Sequence, residues 1–72
     1  MAKIVSLQRT SKNIKVTTSC AADFDMDDHC FSIWSYKHGD LNRSGDCPQN
    51  MQFDKVVARQ LRDALNQFLL EK

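Results

Sequence analysis

The stretch Ile14-Lys15-Val16-Thr17-Thr18-Ser19-Cys20-Ala21-Ala22-Asp23-Phe24-Asp25-Met26 separates into two sets when every second residue is taken. One set is Ile14, Val16, Thr18, Cys20, Ala22, Phe24 and Met26; the other is Lys15, Thr17, Ser19, Ala21, Asp23 and Asp25. A helix would mix the two sets around its circumference, whereas a strand points successive side chains to opposite faces and keeps them apart. The stretch therefore predicts a long strand over residues 13–26 with one apolar face. The β-branched run Val16-Thr17-Thr18 suits the same pleated backbone.

Asp27-Asp28 interrupts the alternation, which resumes over residues 30–37 with Phe31 and Ile33 on one side. A two-residue loop at Asp27-Asp28 sets Met26 opposite His29, Phe24 opposite Phe31 and Ala22 opposite Ile33. On the other face the same register sets Ala21 opposite Trp34, Ser19 opposite Tyr36, and Lys15 opposite Asp40, a favourable charge pair. Asp-Asp is a poorer turn than Asp-Gly, so a longer loop stays open.

Outward from this hairpin, residues 3–8 predict a short first strand with Val5 and Leu7 inward, turned by Arg9-Thr10-Ser11-Lys12. His38-Gly39-Asp40 and Ser44-Gly45-Asp46 punctuate the chain after the third strand. Pro48 restricts the backbone before a fourth strand, residues 50–53, with Met51 and Phe53 inward. Asp54 is a suitable N-cap for a helix over residues 55–70, in which Val57, Leu61, Ala64, Leu65 and Phe68 form one stripe. The expected architecture is a single α+β domain over residues 1–72: a four-stranded antiparallel β-meander with one C-terminal amphipathic helix packed on one face.

Composition narrows the function classes. At 72 residues the chain has room for one small core. Ten Lys+Arg against nine Asp+Glu exclude both a strongly basic nucleic-acid binder and a strongly acidic mimic. No apolar run approaches the ~20 residues of a membrane helix, and no signal-peptide h-region is visible, so no membrane partner is expected. Three cysteines without regular spacing argue against a disulfide framework and for a reducing, cytoplasmic setting, with a single pair such as Cys20 with Cys30 left open.

Asp23-Phe24-Asp25-Met26-Asp27-Asp28 has the opening spacing of a calcium loop, but Asp28 stands where the turn requires Gly and Trp34 where the loop requires a bidentate Glu. Cys20, His29, Cys30, His38 and Cys47 are zinc-ligand types without the paired spacing of a zinc site. No nucleophile motif, metalloprotease motif or phosphate-cradling glycine loop occurs. The expectation is a non-enzymatic protein with no metal, no cofactor and no small-molecule substrate.

One helix covers one side of a small sheet, leaving the other to water or a partner. The expected partner-binding residues on that side are Trp34, Tyr36, Lys15, Thr17, Asp23 and Asp25, since paired aromatics supply much of the energy of recognition. The plainer alternative packs Trp34 against a sheet edge or under the loop at 41–46. The leading expectation is an interaction module or inhibitor that docks a protein partner, itself a homodimer, of a size suited to phages or mobile elements. The second is single-stranded DNA or RNA binding on the same face, with Lys12, Lys15, Lys37 and Arg43 as phosphate contacts.

Ile33-Trp34-Ser35-Tyr36, a Gly-containing loop, and Met51-Gln52-Phe53 leading straight into the helix make about half the chain resemble the positive cofactor four family of single-strand DNA-binding proteins. The resemblance implies a homodimer that grips single strands on its sheet face. The sequence departs from that family at Pro48-Gln49-Asn50, where the family carries a basic Lys-Gly stretch. Protein docking therefore stands ahead of nucleic acid.

Overall fold

The computed structural model describes residues 2–12 and 14–70. It contains four strands, β1 (Ala2–Ile4), β2 (Ala22–Met26), β3 (Phe31–Ser35) and β4 (Gln49–Phe53), followed by one helix, α1 (Lys55–Leu70). The α+β architecture and the helix limits agree with the sequence. The sheet is mixed rather than a pure antiparallel meander: its order is β1-β4-β3-β2, with β1 parallel to β4 and the other pairs antiparallel.

Two expectations about the N-terminal half are corrected. The first strand ends at Ile4 instead of residue 8, and Val5 is exposed. The strand expected over 13–26 is ordered as β2 only from Ala22; residues 14–21 carry no regular structure, and Asn13 lies outside the described residues. The cause is the lack of a ladder partner. Beyond Ser35 the chain turns at Lys37–Asp40, where the Asp40 N–H donates to the Lys37 carbonyl at 3.0 Å. Only Ser19 and Ala21 still reach it: the Gly39 N–H donates to Ser19 O, and the Ala21 N–H to Asp40 O. A strand that cannot pair its backbone groups gains nothing from staying pleated. Without that hairpin, β1 joins the free edge of β4, where Ile4 stands opposite Phe53.

The hairpin register also differs. Met26 stands opposite Phe31, Phe24 opposite Ile33, Asp23 opposite Trp34 and Ala22 opposite Ser35, two residues along from the expected pairing. The loop is Asp27–Cys30, because the Asp27 carboxylate accepts the His29 and Cys30 N–H groups at 2.8 Å each. Such an Asx turn needs the longer loop, which Asp-Asp alone could not close. A slip of two preserves which face each side chain takes. Phe24, Phe31 and Phe53 accordingly stack across three strands, with centroids 5.4 and 5.3 Å apart.

The apolar face carries Ile4, Phe31, Ile33, Met51 and Phe53, and Val57 and Leu61 of α1 close over it with Leu7. Asp54 caps the helix, accepting the Val56 and Val57 N–H groups at 3.0 and 3.2 Å. Only Phe53 and Val57 are buried apolar residues among those described, at 4% and 3% exposure. Contact fades quickly along the helix: Leu61 is half-buried, and every described residue from Arg62 onward is exposed. The expected stripe at Ala64, Leu65 and Phe68 is thus not covered. The dimensions explain this, since a 16-residue helix is about 24 Å long and a 5-residue strand about 17 Å.

Candidate functional site

The face away from α1 is built from the alternate residues of the same strands: Lys3, Asn50, Gln52, Ser32, Trp34, Asp23 and Asp25. Trp34 stands at its centre, opposite Asp23 on one side and Asn50 on the other, and is half-buried. Gln52 donates to the Ser32 hydroxyl at 3.1 Å across the β3–β4 pair. Tyr36 continues the face past the end of β3. Its N–H donates to Ala21 O at 2.9 Å, and its hydroxyl donates to Asp23 Oδ2 at 3.0 Å.

Asp23 is the node of this face. Its second oxygen, Oδ1, accepts from Arg43 Nε at 2.8 Å. The hydrogen bond from Arg43, then that from Tyr36, holds the Asp23 carboxyl below its ordinary value. The hydrogen bond to Asp23 in turn raises the Tyr36 phenol, with desolvation adding to it. Arg43 adopts φ 58°, a left-handed conformation costly to a residue with a Cβ. The loop that holds it there is organised by Asp40. This buried carboxylate accepts the N–H groups of Gly45 at 2.9 Å, Asn42 at 3.0 Å and Ser44 at 3.4 Å.

Of the expected partner-binding residues, Trp34, Tyr36, Asp23 and Asp25 share the helix-free face. Lys15 and Thr17 do not reach it, lying exposed in the irregular segment before β2. The expected pairing of Lys15 with Asp40 is replaced: Asp40 turns into its own loop, where backbone donors satisfy it at closer range. The basic track is likewise not assembled. Arg43 is engaged by Asp23, Lys37 borders the Asp40 loop, and Lys12 and Lys15 lie in the N-terminal segment.

Asn50 and Gln52 belong to the face and were readable as the polar alternates of Met51 and Phe53. The Arg43–Asp23 tie had no local signal, because 20 residues separate its members. All three cysteines are free thiols. Among the described residues no three His, Cys, Asp or Glu side chains are grouped to hold a metal ion, and no helix is long and apolar enough to cross a membrane. Compared with protein-family models, curated proteins and solved structures, the chain matches none.

Proposed function

We propose that the chain is a small non-enzymatic interaction module that works as a homodimer in a reducing, cytoplasmic setting and docks a protein partner through its helix-free sheet face. The observation that carries this reading is the placement of Trp34. A half-buried indole stands mid-face with Asp23, Ser32, Asn50 and Gln52 as a hydrogen-bonding surround. A central aromatic anchor within a polar rim is the arrangement from which binding hot spots are made.

The resemblance to the positive cofactor four family supplies the second reading, single-stranded nucleic acid on the same face. The commitment of Arg43 to Asp23, and the carboxylates of Asp23 and Asp25 beside Trp34, weigh against phosphate there.

Trp34 fluorescence tests both. Titration with a labelled oligonucleotide at two salt concentrations is expected to leave the indole signal unchanged. Affinity capture followed by titration of the purified partner is expected to shift that signal, and Trp34→Ala to abolish binding. Oligonucleotide affinity that falls steeply with salt would replace protein docking with the nucleic-acid reading.

A further inference from the structure

We infer that the helix-covered side of the sheet holds a berth for a second helix, supplied by a protein partner whose apolar stripe is flanked by acidic residues. This surface lies on the opposite side from Trp34 and goes beyond the reading above. Four strands spaced about 4.8 Å apart make a face roughly 19 Å wide, enough for two helices packed about 8–10 Å apart. One half belongs to α1. It follows β4 directly, and its Val57 and Leu61 lie with Ile4, Met51 and Phe53. One flank of α1 is lined by the chain itself, where Leu7 and Arg9 border a depression with Ala64 and Phe68.

The other flank, over β3 and β2, stays open. Phe24 and Met26 on β2 are 62% and 60% exposed, and Leu65 and Leu69 on the facing side of α1 are 48% and 75% exposed. Between sheet and helix runs a groove of about 410 Å³, with Phe31 and Phe53 below and Ala58, Leu61, Leu65 and Leu69 alongside. Phe24 stacks on Phe31 at 5.4 Å and carries the apolar floor on to the sheet edge. Ile14 and Val16, the apolar residues of the irregular segment, are exposed and do not fill it.

Shape selects a helix. The four wall residues of α1 recur at spacings of three and four, a row about 16 Å long. The floor is the side-chain face of a sheet, where an extended peptide would find no backbone partners. A helix satisfies its own backbone and brings a matching apolar stripe.

Charge selects its flank. Lys55, Arg59 and Arg62 follow one another at i, i+4 and i+7 and form a cationic ridge beside the apolar row. Arg62 pairs with the adjacent, exposed Asp63 at 3.2 Å, and among the described residues no ion pair engages Lys55 or Arg59. A helix in the groove brings its own flank within reach of this ridge, which attracts acids and repels bases. The same ridge argues against α1 of a second copy as the occupant. That helix holds three cations against one described acid, Asp63, and would set like charges together.

The test titrates the full chain with two synthetic peptides of about 18 residues, long enough to form a helix over the row. One carries a leucine stripe at i, i+3, i+4 and i+7 flanked by glutamates; the other has lysines in place of those glutamates. Both are kept below the concentration at which they self-associate. The glutamate peptide is expected to bind and become helical, with NMR shifts at Phe24, Phe31 and Leu65 and none at Trp34. The lysine peptide is expected to bind about tenfold more weakly. Lys55→Glu combined with Arg59→Glu should reverse that preference, and Leu65→Gln should weaken both peptides, with the circular dichroism of each variant unchanged. Failure of the glutamate peptide to bind, equal affinity for the two, or shifts centred on Trp34 overturns the berth. Concentration-dependent shifts at Leu65 in the protein alone give the groove to a second copy, which overturns the inference and leaves the homodimer reading intact. Docking at Trp34 is judged separately, by its own titration.

Discussion

Arg43 Nε stands 2.8 Å from Asp23 Oδ1, so the loop after β3 is pinned near the start of β2 on the helix-free face. The contact neutralises the charge that would otherwise dominate that face next to Trp34. The loop organised by Asp40 holds the Arg43 backbone in its left-handed conformation, and Asp23 anchors the side chain. Tyr36 completes the arrangement from the other oxygen, so one carboxylate fixes an aromatic and a cation at once.

This predicts an unusual phenol titration. With its proton donated to Asp23, Tyr36 is held above the ordinary value of 10.0. The stability it contributes is fully present below that value and is lost as pH rises through the folded one. In Asp23→Asn the ultraviolet titration of Tyr36 should fall back towards the ordinary value, and alkaline unfolding should begin earlier. An unchanged midpoint would mean that the hydrogen bond does not form in solution.

Acid stability is expected to depend on Asp40. Desolvation is the largest single influence on its carboxyl and pushes upward, but the N–H groups of Gly45, Asn42, Ser44 and Arg43 together outweigh it. The folded value lies below the ordinary 3.8, as do those of Asp23 and Asp27. Between the folded and ordinary values the unfolded chain binds the proton and the folded chain does not, so stability falls as pH drops through that window. Asp40→Asn should lower Tm at pH 7, and its deficit against the parent should shrink as pH falls below 3.8. A deficit constant across pH would assign the loss to shape alone.

Truncations should rank by burial rather than by size. Phe53 is buried where β4 meets α1, and Phe53→Ala is expected to cost about 3–5 kcal/mol. Trp34 is the larger side chain, yet it lies half-buried on the helix-free face, and Trp34→Ala should cost much less. Denaturant titration of both variants measures the order directly. A reversed order would mean that Trp34 belongs to the core.

How much of this was legible in the sequence depends on how far apart the deciding groups lie. The helix from Lys55 to Leu70 was readable because Asp54 caps it with adjacent donors and its spacing is local. The face assignments of Phe24, Phe31 and Trp34 survived a wrong register because strand alternation has a period of two. The fate of β1 was not readable: its hairpin with residues 13–26 and its parallel pairing with β4 present the same local pattern. Alternation in residues 14–21 marked strand capacity without supplying a neighbour. The Asp40 loop carried a local signal, an Asp followed by Ser44-Gly45, which the attraction of pairing Asp40 with Lys15 concealed.

Gly39 isolates the backbone cost of the turn that carries Tyr36 into this loop. It has φ 87°, a region an L side chain resists, and a Cβ placed there would meet nothing within 4 Å. Its N–H donates to Ser19 O at 2.7 Å, a bond that alanine can also make. Gly39→Ala therefore adds backbone strain with no clash and no lost donor, and should cost about 1–2 kcal/mol. Gly39→Asn should cost less, since Asn enters left-handed conformations more readily. Thermal unfolding of the two variants separates them. Equal losses would point to the solvent exposure of the new side chain rather than to backbone strain. At Gly45, whose φ is not in the left-handed region, the same substitution puts a Cβ 3.3 Å from Asp40 Oδ2 and 3.4 Å from Lys37 Cε, so any loss there comes from crowding those side chains and not from backbone strain.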